Sequence, residues 1–155
     1  MSRGEHATQL LLWRHAEAAD GPVDSARPLT ERGHKQATRV ARWLEGKLPA
    51  DSRVLVSPAT RTQQTAQALG RKFVTSTELS VHSSARRILA AVQWPACGGT
   101  TVVVGHQPCL GQVAALLISG REDSWSVRKG AIWWLWQRRP DADITIRTVI
   151  DPDCL

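Results

Sequence analysis

Leu10-Leu11-Leu12-Trp13-Arg14-His15-Ala16-Glu17 is a short apolar run that ends abruptly in two basic side chains. It reads as a buried strand carrying an arginine and a histidine to its own tip. In an open α/β sheet that tip is where ligands bind, just outside the carboxyl ends of the strands. A guanidinium offers a fixed fork of donors for phosphate or carboxylate, and an imidazole acts as base or nucleophile near neutral pH. On this stretch alone, the plain reading is a strand end reaching water. The functional one is a site for an anion with an imidazole in line.

The 155 residues are enough for one domain with an ordinary core, and 1–155 is read as a single domain. Apolar residues make up 42% and charged residues 22%, the balance of a globular chain rather than a disordered one. No apolar run approaches the roughly 20 residues that span a bilayer. The first residues lead into an apolar stretch too short for a signal-peptide core, so a cytoplasmic protein with no membrane partner is expected. Cys97, Cys109 and Cys154 stand at unrelated spacings, which form neither a disulfide framework nor a zinc site. The net charge of +6 comes mainly from sixteen arginines against four lysines. These are scattered in runs no longer than two and belong to no nucleic-acid module, so a locally positive cleft is expected and nucleic acid is not.

Downstream, Ala18 to Pro28 is a loop rich in Gly, Pro, Asp and Ser. Thr30 is placed to cap a helix whose Ala37, Val40, Ala41, Leu44 and Leu48 recur on one face, with Pro49 as its stop. Arg53 to Val56 reads as a second strand. Ser57-Pro58 then supplies a cap and a first-turn proline for a helix that runs to Gly70. Lys72 to Thr77 holds a short edge strand, and Ser83 to Val92 a helix. Thr101 to Val104 is the clearest strand, followed at once by Gly105-His106 and by a helix from Pro108 to a Gly120 cap. Ala131 to Trp136 and Ile144 to Val149 form an edge hairpin, whose Trp133, Trp134 and Trp136 cannot all face a core. Strand and helix alternate. The fold expected is α/β: a three-layer α/β/α sandwich with a mostly parallel sheet and an antiparallel edge hairpin near the C-terminus.

Three strand-like runs thus end in Arg14-His15, in Ser57 with Arg61 one turn further on, and in Gly105-His106. If the strands are parallel, these ends share one edge with two helix N-termini, whose free N–H groups favour an anion. That coincidence outweighs the plain reading.

Arg14-His15-Ala16, the helix start Leu29-Thr30-Glu31-Arg32-Gly33-His34-Lys35-Gln36-Ala37, the stretch from Ser57-Pro58 to Thr65-Ala66, and Gly105-His106 resemble the histidine phosphatase superfamily. That superfamily also contains the cofactor-dependent phosphoglycerate mutases. The compact length and Arg27-Pro28-Leu29-Thr30 are similar to its short bacterial branch, the phosphohistidine phosphatases. The resemblance implies that His15 is the nucleophile and that Arg14, Arg61 and His106 bind the phosphoryl oxygens. Arg27 would also face the pocket, and no metal or cofactor would be needed. Flanking cations would keep the His15 imidazole neutral and nucleophilic, and fixed donors would stabilise the transition state.

Two departures stand out. Ala16 replaces the superfamily's usual glycine, which is harmless if the position does not need φ > 0. The carboxylate that protonates an alkoxide leaving group in larger members has no clear counterpart: Glu78 lies too early, and His82 is a loop histidine that could substitute. An imidazole leaves phosphohistidine more easily than an alkoxide leaves an ester. The expected substrate is therefore phosphohistidine on a protein, with small phosphate esters or sugar phosphates as the rival. A phosphate- or phosphoprotein-binding domain with little turnover is the non-enzymatic reading. His34 reads as solvated surface, His6 as part of a frayed terminus, and Asp20 and Glu17 as loop residues, Glu17 being near enough to orient His15. Cys97 and Cys109 lack the arginine six positions on that a cysteine phosphatase needs, Val103 and Ala115 standing there.

Overall fold

The computed structural model describes residues 7–155, so the reading of His6 and its neighbours lies outside the described residues. The sheet is built around β1 (Thr8–Arg14). Successive strand residues point to opposite faces. Leu10 and Leu12 accordingly pack against α3 (Ala85–Val92) and α4 (Cys109–Ser119). Leu11 and Trp13 meet α1 (Glu31–Leu44) and α2 (Thr60–Gln67) on the other face. All four side chains are fully buried, which explains an apolar run without alternation. At roughly 1.5–3 kcal/mol for each buried leucine, this strand is a main anchor of both core layers.

The remaining strands are β2 (Arg53–Val56), β3 (Val74–Thr75), β4 (Thr100–Gly105), β5 (Ile132–Gln137) and β6 (Ile144–Ile150). They form one six-stranded sheet in the order β3-β2-β4-β1-β5-β6. Strands β1 to β4 run parallel, and β5 is antiparallel to both β1 and β6. With helices on both faces, this is the expected α/β/α sandwich with its C-terminal hairpin at one edge.

Local chemistry sets most boundaries. Thr30 caps α1, its Oγ1 accepting the Gly33 N–H at 3.0 Å. Ser84 caps α3 and Gly120 closes α4 at φ 76°. Two boundaries differ from the sequence reading. Helix α1 ends at Leu44, not at Pro49: Gly46 turns the chain at φ 75°, and Leu48 folds back to bond the Leu44 carbonyl and stay buried. Helix α2 starts at Thr60 without a side-chain cap; Ser57 is used elsewhere. In β5, Trp134 is buried edge-on to Trp43, whereas Trp133 and Trp136 are half-buried, Trp133 against Trp125.

Gly111, in the first turn of α4, lies so close to the Trp125 carbonyl that a Cβ would overlap it. That close approach holds the 121–130 segment against the helix. Gly111→Ala is expected to destabilise the fold by about 1–3 kcal/mol, read as a lower urea midpoint with an unchanged m-value.

Candidate active site

Backbone pairing brings the three strand ends level. Arg14 lies opposite Gly105, and Val56 opposite Val104. The ladder continues one residue further on both sides, with His15 N–H donating to the Gly105 carbonyl and Ser57 N–H to the Val104 carbonyl, each at 3.1 Å. His15 and His106 therefore leave neighbouring strands together, their ring centroids 5.4 Å apart.

His15 is buried, and its Nδ1 lies 2.7 Å from the Ala16 carbonyl oxygen. A carbonyl only accepts, so Nδ1 carries the proton and Nε2 keeps a free lone pair. Burial pushes the imidazole pKa down to about 4 and outweighs the Ala16 hydrogen bond, with the charges of Arg61, Arg14 and Arg27 acting in the same direction as burial. Desolvation, more than the flanking cations, keeps this ring neutral. Ala16 itself is accommodated: among the described residues Gln93 is the non-glycine with positive φ. The Ala16 N–H donates to Thr65 Oγ1 on α2.

The second histidine has the opposite tautomer. Arg61 Nη2 lies 3.3 Å from His106 Nδ1, and a guanidinium only donates, so Nδ1 accepts and Nε2–H donates to Ser57 Oγ at 2.7 Å. Burial, then the charge of Arg61, lowers the His106 pKa to about 3. Ser57 is thus a partner of the second imidazole rather than a helix cap.

Three guanidiniums surround these rings. Arg61 is 3% exposed, and its Nη1 and Nη2 donate to the Asp24 backbone carbonyl and carboxylate at 2.8 and 3.1 Å. Arg14 donates through Nη1 to the Val127 carbonyl, and burial and the charge of Arg61 lower its pKa. The Nε groups of Arg14 and Arg61 are buried with no acceptor among the described residues. Arg27 is tied to the Ala19 carbonyl and to Asp24. The α4 N-terminus contributes less than expected, because its Leu110 and Gly111 N–H groups are taken by the His106 carbonyl and Gln107 Oε1. The donors here are mainly guanidiniums.

Several sequence candidates are elsewhere. Glu17 accepts from Thr30 Oγ1 and pairs with Arg32, and so does not orient His15. Glu78 is exposed and pairs with Arg87 at 3.6 Å. Asp20 and His34 are solvent-exposed, and the Cys109 thiol donates to the Ser83 carbonyl. His82 lines a groove of about 590 Å³ that adjoins the cluster through Asp24 and Ser57, the partners of Arg61 and His106. A hollow of equal volume at the opposite ends of the strands contains no histidine, and its Arg53 guanidinium is already bonded to Val92 and Thr101. Asp24 is the residue the sequence reading missed; it stands in a polar loop, 37 residues from the Arg61 to which it is bonded. Among the described residues, no three His, Cys, Asp or Glu side chains group as metal ligands.

A family model for the histidine phosphatase superfamily (branch 1) matches residues 10–84. The phosphohistidine phosphatase SixA of Escherichia coli (strain K12) is 32% identical over 121 residues, covering 72% of this chain and 75% of its own length. The chain belongs to the histidine phosphatase superfamily. A solved structure of the protein histidine phosphatase SixA complexed with tungstate superposes at TM-score 0.81, with 28% identity over 94% of this chain and 98% of that one. An Entamoeba histolytica phosphoserine phosphatase mutant, solved in complex with phosphoserine, shares the fold at TM-score 0.70 and 17% identity, covering 96% and 99% of the two chains. A histidine phosphatase is a phosphatase that works through a histidine nucleophile, and this chain is one.

The buried imidazoles of this histidine phosphatase link its stability to pH. Unfolded histidine titrates near 6.5, while the folded His15 and His106 titrate near 4 and 3. Between these values the unfolded chain binds more protons, so stability is complete above pH 6.5 and is lost as pH falls. Each such group contributes a slope of up to about 1.4 kcal/mol per pH unit. Urea unfolding at pH 6.5 and 4.5 should show a smaller loss for His106→Gln than for the wild type.

Proposed function

We propose that the enzyme removes the phosphoryl group from phosphohistidine on a protein, with His15 as the attacking group. The observation that carries this reading is the His15 Nε2 lone pair, left free by the Ala16 carbonyl, in a cluster where Arg14 and Arg61 keep buried, unpartnered Nε donors. Buried donors of this kind favour an oxyanion. The tungstate bound by the SixA relative is an anion of that class.

The roles follow from the geometry. His15 Nε2 attacks phosphorus and becomes transiently phosphorylated. Arg14 and Arg61 bind the phosphoryl oxygens, and fixed donors need little reorganisation as charge shifts in the transition state. His106 is held neutral between Ser57 and Arg61, and Arg27 extends the positive rim. All of these groups belong to one domain spanning residues 1–155. With Glu78 turned away to Arg87, the carboxylate that the sequence offered is not poised to protonate an alkoxide. That favours a P–N bond over an ester. The exposed groove beside the cluster suits a side chain presented by another protein, in the cytoplasm of a bacterium. No membrane or nucleic-acid partner is part of this reading.

The test is turnover, without added metal, of a phosphohistidine protein and of an aryl phosphate. Wild type is expected to favour phosphohistidine. His15→Ala should lose at least about 1,000-fold on both substrates, with no acid-labile phosphoenzyme. Arg61→Ala should lose about 100- to 1,000-fold, mainly in kcat. Equal or better ester turnover by the wild type would overturn the assignment to phosphohistidine. Phosphate binding without turnover would make the chain a sensor.

A further inference from the structure

Asp24 has no part in the roles above, yet its carboxylate is bonded to two of the site's arginines. Oδ1 accepts from Arg27 Nη1 and Oδ2 from Arg61 Nη2, each at 3.1 Å. The same Arg61 Nη2 reaches His106, so one guanidinium separates this carboxylate from the reactive cluster. The side chain is 57% exposed and forms part of the groove wall together with Ser57 and His82. It is therefore accessible from a groove that adjoins the cluster.

A carboxylate there could act on an ester leaving group only as a proton donor. The hydrogen bonds from Arg27 and Arg61 hold it below the usual carboxylate range, so at neutral pH it has no proton to give. What it offers is a fixed negative charge beside the departing group. That charge disfavours a leaving group that develops negative charge and stabilises one that arrives positive. Phosphohistidine is of the second kind when its ring carries a proton on the nitrogen not bonded to phosphorus.

Building on the phosphohistidine reading, we propose that Asp24 is a specificity-determining residue that accepts a hydrogen bond from the protonated imidazole of a substrate phosphohistidine. The step balances without an enzyme acid. The His15 Nε2 lone pair forms the new N–P bond, and the substrate's P–N bond breaks. Its electron pair returns to the substrate ring, which already carries one proton and departs as neutral imidazole.

The test is Asp24→Asn, which removes the charge and keeps an oxygen for the arginines. kcat/KM is measured on a phosphohistidine peptide and on p-nitrophenyl phosphate, alongside inhibition by inorganic phosphate. Expected are a fall on phosphohistidine and a rise on the aryl ester, which together shift their ratio by about tenfold. Inorganic phosphate should inhibit more strongly, which shows that the anion site is still assembled, and Asp24→Glu should restore the wild-type ratio. An equal fall on both substrates would mean that Asp24 only orders Arg61, and would overturn the proposal. An unmoved ratio would overturn it as well. If wild type hydrolyses the aryl ester but not the peptide, the phosphohistidine reading itself fails. That outcome is distinct from an active wild type whose ratio Asp24→Asn does not change.

Discussion

Parallel pairing of β1 with β4 is the constraint on which this molecule depends. Neighbouring strands lie about 4.8 Å apart, and the register that sets Arg14 against Gly105 makes His15 and His106 adjacent as they leave the sheet. Two imidazoles are thereby confined among guanidiniums. The strain this would create if both rings were charged is avoided by burial, which keeps them neutral. Repulsion then acts chiefly among the arginines, and Asp24 offsets part of it. Depth in the fold and protonation state are thus one design decision.

The surrounding structure holds these groups rather than merely enclosing them. Arg61 and Thr65 are one helical turn apart on α2. Arg61 points to the reactive cluster, while Thr65 receives the Ala16 N–H and donates to the Arg61 carbonyl. On the other side, Gln107 bonds both the Gly111 N–H and the Trp125 carbonyl, and the Val127 carbonyl two residues on holds Arg14. Helix α2 therefore supports the backbone beside the His15 ring, and the segment before β5 supports its neighbour Arg14. Preorganisation of this sort lets donors act without rearrangement as charge moves.

What the sequence showed and what it hid follow from the range of each interaction. Leu10 to Trp13, Thr101 to Val104 and the Thr30 cap are local signals, and each appears where the pattern places it. The convergence of Arg14, His15, Arg61 and His106 was legible because each stands at or one turn beyond the end of a recognisable strand. Ser57 was misread because the strand-to-helix position that favours a cap is also the position that faces the neighbouring strand's histidine. Asp24 was lost in a polar loop, where nothing local distinguishes a carboxylate bonded to Arg61, 37 residues away, from one bonded to water. The α1 boundary failed for a related reason: Leu48 keeps the helical spacing although the chain has already turned at Gly46.

The two margins of the sheet have a consequence for how this protein behaves in a crowded solution. Open strand edges are templates for uncontrolled association, and proteins blunt them by shortness, charge or irregularity. Here β3 is only two residues long. The opposite margin carries a bulge between Trp134 and Leu135 in the β5–β6 pairing, and Arg147 of β6 lies over the Trp134 ring. The first margin offers little backbone to pair, and the bulge interrupts the second. A strand added at either margin would meet a template that is short or irregular, which limits association through the sheet.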